Sequence, residues 1–306
     1  MQNTGERPTA KHSDQGLGKL AAIQVSGLDR SHFLQGQLTQ DLARLTPERA
    51  LLTGWASPKG RLLCTPWLAD WRDSIWLILP HERAAVIASR LKMFVLRADV
   101  QIEVATARVE VARLEQLTAP DGSNNLPDKE SFSYCIERDN ELAIMPAGIE
   151  DMGIRLRPGL PDEASDNQTA KHWRLKNIRA GIPIVGNATA EEFVPQMVNL
   201  DHLDAISFSK GCYVGQEIVA RTQNLGRIKR RMYAFSATED AGAAPPEPGQ
   251  PVYGEQGIAG QIVDAVPVET GIELLAVIRI DSLQQALSLG PDRQQPLTYR
   301  PLPYEI

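Results

Sequence analysis

The sequence predicts an α+β protein in which a mixed body precedes a β-rich C-terminal region. Predicted strands are separated by helices but also form a hairpin, which favours α+β over a doubly wound parallel sheet. The composition shifts after Arg231, where a stretch rich in alanine, proline and acidic residues leads into short strands punctuated by glycine. With 42% hydrophobic and 23% charged residues, the 306-residue chain can build a core of this kind.

The first third of the chain alternates strand and helix patterns. At 57–60, Ser-Pro-Lys-Gly places proline second and glycine fourth, which predicts a type I turn between two strands. At 81–95 the apolar residues recur at helical spacing. The predicted elements are a strand over 20–25, a helix capped by Asp29 that runs to about Gln37, strands over 51–56, 62–68 and 74–79, a helix over 81–95 and a strand over 100–105.

The rest of the chain predicts weaker strands, one clear helix and a compact C-terminal unit. A helix begins near Asn167 and stops around Gly181 and Pro183. The other predicted features are strands near 109–111, 132–137 and 142–145, a loop at 119–127 and C-terminal strands over 251–253, 258–264 and 274–279. The short C-terminal strands fit either a small β-barrel or a β-sandwich.

Composition excludes several classes of function. The net charge of -6 argues against broad binding of DNA, and no apolar run is long enough to span a membrane. The polar start of the chain lacks the apolar segment of a secretory signal. Three cysteines, Cys64, Cys135 and Cys212, without a Cys-x-x-Cys pair, predict a reducing, cytoplasmic setting with no disulfide framework and no metal site.

The most informative segment is Lys-Gly-Cys-Tyr-Val-Gly-Gln-Glu at 210–217. Lys210 stands two residues from Cys212, so an extended backbone would put both side chains on one face. A nearby ammonium lowers the pKa of a thiol and favours the reactive thiolate. The alternative is an inert, buried cysteine. A helix predicted to start near Gly215 would place Glu217 and Arg221 four residues apart, as in a surface ion pair.

Two further features leave alternatives open. Arg-Ile-Lys-Arg-Arg at 227–231 could bind phosphate or a polyanionic tail, or could form the solvated face of a strand. His202, between Asp201 and Asp204, could serve acid–base or metal chemistry, or could be a surface or capping histidine.

An ordered set of segments carries a resemblance to a known family. Phe-Val-Pro-Gln-Met-Val-Asn-Leu stands at 193–200, and the cysteine motif lies within Ile-Ser-Phe-Ser-Lys-Gly-Cys-Tyr-Val-Gly-Gln-Glu-Ile-Val-Ala-Arg at 206–221. Phe-Leu-Gln-Gly-Gln-Leu-Thr-Gln-Asp at 33–41, Ser-Pro-Lys-Gly-Arg at 57–61 and Asn-Ile-Arg-Ala-Gly-Ile-Pro at 177–183 precede them. From about residue 17 to about residue 265, the chain resembles the YgfZ-type folate-binding proteins, relatives of the glycine-cleavage T-protein, an aminomethyltransferase.

The resemblance implies an aminomethyltransferase-like folate-binding fold with a ferredoxin-like subdomain and a C-terminal β-barrel. It divides the chain into a flexible tail (1–16), an α+β folate-binding region (17–226) and a barrel domain (227–306). It also implies a non-covalently bound tetrahydrofolate or a derivative. A pocket for that molecule needs aromatic or apolar walls, a few fixed polar groups and a cation for the glutamate tail.

The residues that meet these needs are candidates for folate binding. Candidate walls are Trp55, Phe193 and Tyr213. Candidate polar contacts are Gln35, Gln37, Asp41, Gln196, Asn199, Gln216 and Glu217. Candidate cations are Lys59, Arg61, Arg179, Lys210 and Arg221. Each also has an ordinary structural explanation in a core, a turn or a solvated surface, so the hypothesis depends on their convergence in space.

Two departures separate the chain from the aminomethyltransferase pattern. The enzyme's Leu-Glu-Ala-Gly segment contains an acid that helps to bind folate, whereas Arg179 stands at that position here. This reverses the charge offered to the pterin or gives the residue another task. Cys212 stands where the enzyme usually has another residue. Both departures disfavour glycine cleavage and resemble the YgfZ-like branch, which supports assembly or repair of iron–sulfur proteins, including tRNA-thiolating enzymes.

Three functional hypotheses follow. In the first, the protein is a folate-binding accessory factor in which Cys212, assisted by Lys210, serves iron–sulfur client or assembly proteins, with an indirect or weak link to RNA. In the second, it is a folate-dependent one-carbon transferase acting on an unknown amine or RNA, with Asp41 or Glu217 as the general base. In the third, it is a folate-binding scaffold without chemistry.

Overall fold

The computed structural model describes residues 17–113, 133–138, 140–149, 151–161, 166–224, 228–238, 245–292 and 295–306. The predicted tail, the predicted loop at 119–127, the start of the predicted 132–137 strand and Arg227 lie outside the described residues.

The described chain contains four α-helices and eighteen strands. The helices are α1 (Arg30–Gln35), α2 (His81–Lys92), α3 (Asn167–Ala180) and α4 (Gln216–Asn224). The strands are β1 (Leu20–Ser26), β2 (Leu51–Leu52), β3 (Trp55–Ala56), β4 (Leu62–Cys64), β5 (Trp67–Trp71), β6 (Ser74–Pro80), β7 (Gln101–Val104), β8 (Ala107–Arg113), β9 (Tyr134–Arg138), β10 (Glu141–Met145), β11 (Met152–Pro158), β12 (Arg230–Ala237), β13 (Pro251–Gly254), β14 (Gly257–Val268), β15 (Gly271–Arg279), β16 (Ser288–Leu289), β17 (Gln295–Pro296) and β18 (Thr298–Arg300).

The first sheet has the strand order β2-β5-β6-β1-β7, and its pairs are antiparallel. Strand β6 is buried at every position because β1 and β5 flank it and α2 packs on the sheet. The buried face of α2 includes Ile87, Ala88 and Leu91, whereas Ala85, Val86 and Ser89, which the predicted spacing placed on the same face, are exposed. The α+β class and this helix are therefore confirmed.

The predicted hairpin is also confirmed. The amide of Gly60 donates to the carbonyl of Ser57 at 2.8 Å, and the amide of Ser57 donates to the carbonyl of Arg61 at 2.8 Å. Gly60 adopts φ +68°, a left-handed conformation that glycine takes without steric cost. The hairpin joins β3 to β4, which form a separate two-stranded sheet.

The second sheet has the order β8-β11-β10-β9 and is antiparallel throughout. Helix α3 follows it. Asp166 caps the helix by accepting from the amides of Gln168 and Thr169, and Gly181 ends it at φ +67°. The predicted end of this helix is confirmed, and its start agrees to within the capping residue.

The third sheet has the order β17-β16-β13-β14-β15-β12-β18. Its two edge strands, β17 and β18, are separated by a single residue in the chain, so the sheet curves almost into a closed barrel. Apolar side chains that include Phe235, Ile262 and Leu274 fill its interior. Of the two alternatives left open by the sequence, the barrel is confirmed.

One buried apolar cluster joins all three sheets. It contains Trp76 of the first sheet, Ile154 of the second, Trp173 of α3 and Val263 of the third. The three sheets therefore share a core. The division of the chain into domains at 226/227 stays a prediction.

The structure corrects several local predictions. Asp29 precedes α1 but makes no side-chain cap; its carboxylate accepts from the amide of Asp99 instead. The strand predicted over 51–56 is two strands in different sheets, which Thr53 and Gly54 separate. Strand β11 was not predicted. Arg231 of the basic run is buried, while Arg230 is exposed.

None of the helices within the described residues combines the length and the apolar character that a membrane crossing requires. In the same described part of the chain, no three His, Cys, Asp or Glu side chains come together as a metal-binding group.

Candidate functional site

A cavity of about 280 Å³ lies where the first sheet, the second sheet and the end of α3 meet the last residues of the chain. Its apolar walls include Leu51, Trp67 and Ile182. Polar side chains are distributed around it, namely Arg49, Ser133, His202, Asp204 and Tyr304. The cavity thus combines an aromatic wall with a few polar groups of both charges.

Tyr304 closes one side of this cavity. Its hydroxyl donates to the carbonyl of Gly181 at 2.7 Å and accepts from Asn199 Nδ2 at 3.3 Å. Burial raises its pKa to about 12, so the hydroxyl stays protonated at neutral pH. The ring of His202 stacks nearly parallel on Tyr304, with ring centroids 6.4 Å apart. These contacts fix two polar side chains at the wall.

The 210–217 segment is held by Lys210. Its buried ammonium donates to the carbonyl oxygens of Gln35, Leu38 and Gln40 at 2.6, 2.9 and 2.8 Å. Three donors therefore meet three acceptors on the turn after α1. Burial lowers the pKa of Lys210 to about 8. These three hydrogen bonds make Lys210 an anchor between this turn and the segment at 210–217, which we call the cysteine loop.

The same loop packs against the β3–β4 hairpin. Gly215 adopts φ +79°, and a side chain there would place its Cβ 2.5 Å from the carbonyl oxygen of Ser57. Gly60, on the hairpin, faces Ile218 of α4 in the same way. Gly211 has open space around it. Of the two glycines, only Gly215 therefore requires the freedom that glycine provides.

Cys212 is exposed, whereas Cys64 and Cys135 are buried. Burial raises the pKa of both buried thiols to about 12. The expectation of burial, on which the inert alternative for Cys212 depended, is therefore wrong. Its reactivity and the assistance of Lys210 stay predictions.

A chain of contacts joins the cavity to the cysteine loop. Asp204 lines the cavity, and its carbonyl accepts a hydrogen bond from the side chain of Gln40. The carbonyl of Gln40 accepts from Lys210, two residues before Cys212. Arg44 holds the Asp204 carboxylate by a two-point ion pair. The rim of the cavity and the cysteine loop are thus parts of one hydrogen-bonded unit.

None of the predicted folate contacts lines this cavity. Gln35 donates to Asp41 at 2.8 Å, and Asp41 accepts from the amide of Ala43 as the cap of a short 3₁₀ helix. These bonds lower the pKa of Asp41, with the bond from Ala43 as the largest cause. The pair therefore shapes the turn that Lys210 anchors.

A second group of predicted contacts is buried between α4 and the barrel. Gln196 donates to the carbonyl of Val219, and Asn199, at φ +60°, donates to the carbonyl of Met232. Arg231 holds Asp201 by a two-point ion pair at 2.6 and 2.7 Å. The buried side-chain oxygens of Gln37, Gln196 and Asn199 have no hydrogen-bond partner among the residues that the structure describes.

The remaining predicted residues are scattered. Phe193 and Tyr213 are buried side chains, and Trp55 lines a different pocket. Lys59 and Glu217 are exposed, and Gln216 is half-buried at the start of α4. Glu217 and Arg221 form the predicted surface ion pair at 2.7 Å. The exposed Arg61 donates to the carbonyl of Glu192.

Arg179 has another partner. It donates to Glu273 of β15 through two bonds of 2.8 and 2.6 Å. The neighbouring Ala180, rather than Arg179, lines the cavity. Of the two explanations for the arginine at this position, a new task is the one that its contacts support, since it ties α3 to the barrel.

Four residues of the cavity were not among the predicted site residues, namely Arg49, Trp67, Ser133 and Tyr304, and His202 was left with two alternatives. No local signal marks these residues, because the cavity is formed by segments that lie far apart in the chain. His202 is an exposed residue whose ring stacks on Tyr304, and both alternatives left open for it stay predictions.

Comparisons with known proteins agree with this architecture. No family model matches the chain. Two curated relatives, from Klebsiella pneumoniae (strain 342) and Enterobacter sp. (strain 638), are each called "tRNA-modifying protein YgfZ". Both are 28% identical to this chain, and the match covers 95% of this chain and 92% of the relative.

Among solved structures, the glycine cleavage system aminomethyltransferase T from Bartonella henselae matches with a TM-score of 0.66. The match is 13% identical and covers 94% of this chain and 84% of the other. At that identity it speaks for the fold alone. The predicted resemblance to the YgfZ-type proteins and the aminomethyltransferase-like fold are confirmed.

Proposed function

Because the chain resembles the YgfZ-type proteins over nearly its whole length, we propose that it is a folate-binding accessory protein. In this proposal, the cavity takes a tetrahydrofolate or a derivative, and Cys212 serves the assembly or repair of iron–sulfur proteins. The observation that carries it is the hydrogen-bonded unit which joins the cavity rim to the exposed Cys212 loop through Gln40 and Lys210.

The chemistry of the cavity fits a folate. Trp67, Leu51 and Ile182 offer the flat, apolar walls that a pterin or an aryl group needs. Arg49 and His202 could hold the acidic tail, while Ser133 and the Asp204 carboxylate could orient the polar edges of the ring. Tetrahydrofolates carry one-carbon units when bound. The volume of about 280 Å³ suits the ring system, with the tail reaching outward.

The role of Cys212 follows from its exposure. Iron–sulfur clusters usually take four thiolate ligands, and this thiol is the only one of three that solvent can reach. Cys212 therefore acts transiently, by ligation, persulfide or redox exchange, together with groups from a partner. The partners are iron–sulfur client or assembly proteins.

The link to RNA is indirect. The relatives are named as tRNA-modifying proteins, but the net charge of -6 does not favour binding of a polyanion. Arg231, the last residue of the basic run, forms an ion pair with Asp201. The protein supports tRNA modification by maintaining iron–sulfur enzymes that modify tRNA.

The first test measures the alkylation rate of Cys212 with iodoacetamide as tetrahydrofolate is added. The buried Cys64 and Cys135 do not compete, because burial raises their pKa to about 12. We expect saturable folate binding and a changed alkylation rate. His202→Gln should weaken both, whereas His172→Gln, which removes a histidine outside the cavity, should change neither. A rate that ignores bound folate would break the proposed coupling.

A second test uses cells that lack their own YgfZ-type protein. Cys212→Ser should lower the activity of iron–sulfur enzymes and the thiolation of tRNA, while the purified variant keeps its fold by circular dichroism. Ser209→Ala, an exposed neighbour, serves as the control. Full activity with Cys212→Ser would remove the thiol from the mechanism without touching folate binding.

The transferase hypothesis receives less support. Asp41, its proposed base, is engaged as a helix cap and has a lowered pKa, which makes it a weaker base. Glu217 is exposed and paired with Arg221. Turnover of methylene-tetrahydrofolate with an amine or RNA acceptor would nevertheless favour this hypothesis over an accessory role.

A further inference from the structure

A second pocket, outside the cavity described above, lies between the β3–β4 hairpin and the end of α2. Its volume is about 220 Å³. Trp55, Leu63 and Phe94 line it with apolar surface, and the rings of Trp55 and Phe94 meet edge to face at 6.3 Å. An apolar cavity of about 150 Å³ already accepts a benzene-sized ligand. The pocket therefore has room for a substituted aromatic ring.

Two hydrogen-bonding groups of this pocket lack partners. Trp55 is 1% exposed and Ser57 is 6% exposed, and both line the pocket. Within the described part of the chain, neither Trp55 Nε1 nor Ser57 Oγ has a hydrogen-bond partner. A buried donor without a partner costs stability, so such groups are normally satisfied by protein, water or a ligand. These two side chains supply donors that an acceptor in the pocket would satisfy.

The rim adds a cation that is weakly held. Arg90 Nη2 lies 3.9 Å from Glu191 Oε2, beyond hydrogen-bond distance, and both side chains are partly exposed. Glu191 adopts φ +64°, an uncommon conformation for a residue other than glycine. An anion in the pocket could therefore draw the guanidinium of Arg90 without breaking a close ion pair.

From these observations we propose that this pocket is a binding site for a small planar aromatic carboxylate. The ring lies against Trp55 and Phe94, and the carboxylate accepts from Trp55 Nε1, Ser57 Oγ and Arg90. The proposal does not depend on folate binding or on Cys212.

The indole signals of the ¹⁵N-labelled full chain give a direct test, with benzoate as the probe. The chain has five tryptophans, and Trp55→Phe assigns the signal of Trp55 by removing it. We expect benzoate to shift this signal in a saturable way. Benzyl alcohol, which has the same ring without the charge, should bind at least about tenfold more weakly, because hydrogen bonds to a charged group are the stronger ones.

Variants locate the carboxylate. Ser57→Ala and Arg90→Gln should each weaken benzoate binding by about tenfold, as expected for loss of a hydrogen bond to a charged group. Lys92→Gln, which removes a positive charge from the same helix outside the pocket, should leave binding unchanged. A Trp55 signal that does not move, a Trp67 signal that moves instead, or equal binding by Arg90→Gln would overturn the proposal.

Discussion

Lys210 has a structural role in its hydrogen bonds, although its position in the sequence suggests a chemical one. A lysine two residues from a cysteine suggests an activated thiolate, yet its ammonium is surrounded by the carbonyls of Gln35, Leu38 and Gln40. Burial favours the neutral amine and lowers the pKa of Lys210 to about 8. The three acceptors favour the ammonium, because only that form can donate three hydrogens.

Replacement of Lys210 tests the anchoring role. Lys210→Met fills the space but leaves three carbonyls of the turn without their donor, and each unsatisfied buried group costs about 1–3 kcal/mol. We expect a loss of about 3 kcal/mol in the free energy of unfolding, measured by urea denaturation. Lys59→Met, at the exposed hairpin tip, should change stability by less than about 0.5 kcal/mol. Equal stability of the two variants would contradict the anchor.

At the scale of elements, the cysteine loop and α4 pack closely against the β3–β4 hairpin at two glycines. Gly215 approaches the carbonyl of Ser57, and Gly60 approaches Ile218 of α4. The cysteine loop thus rests on the hairpin on one side and on the turn after α1 on the other. This double support explains why three sequence motifs, at 33–41, 57–61 and 206–221, occur together in one chain.

The two glycines of the cysteine motif should respond differently to alanine. Gly215→Ala combines left-handed strain of about 1–2 kcal/mol with a backbone clash, so it should lower the free energy of unfolding by about 2 kcal/mol or more. Gly211→Ala meets open space at an ordinary φ and should be nearly neutral. Urea denaturation of both variants checks this. Similar losses in the two would show that the motif needs glycine for another reason.

Elements with a local signal were predictable. The hairpin, α2 and the end of α3 follow from a turn sequence, a helical repeat and a terminal glycine. Strand β11 was missed although Ile154 and Leu156 alternate with Arg155 and Arg157; the two arginines face Glu110 and Glu141 of the neighbouring strands. That compensation is a contact between strands, which a single segment does not reveal.

At the scale of the whole molecule, α3 binds the barrel to the body through two ion pairs of different burial. Arg174 and Asp264 are 5% and 2% exposed and lie 2.6 Å apart, while Arg179 is half exposed beside Glu273. The residues that line the cavity also lie far apart in the sequence, which explains why the cavity was not predicted. Arg49, Trp67, His202 and Tyr304 come together only in the assembled fold, whereas the family resemblance identified the motifs and not the cavity.

The two pairs should contribute unequally. Asp264→Asn leaves Arg174 buried without its counter-charge, which costs about 3–5 kcal/mol. Glu273→Gln weakens a partly solvated pair and should cost at most about 1 kcal/mol. The free energy of unfolding in urea compares them, and a Glu273→Gln loss as large as that of Asp264→Asn would contradict the burial argument.

The contribution of the Arg179–Glu273 pair to the free energy of unfolding should depend on pH. The hydrogen bond from Arg179 lowers the pKa of Glu273 below its ordinary 4.5. The stabilisation is therefore complete above 4.5 and is lost as the pH falls through the lower, folded-state pKa. The difference between the wild type and Glu273→Gln should close in that acidic range. A constant difference at every pH would exclude the charged pair as its origin.

The distance along the chain between the walls of the cavity has a consequence for biosynthesis. Arg49 and Trp67 leave the ribosome early, but Tyr304 follows more than two hundred residues later. Translation proceeds at about 5–20 residues per second, so the early walls wait at least about ten seconds for the late one. A nascent chain therefore presents an unfinished cavity, which is complete only after Tyr304 has been synthesised.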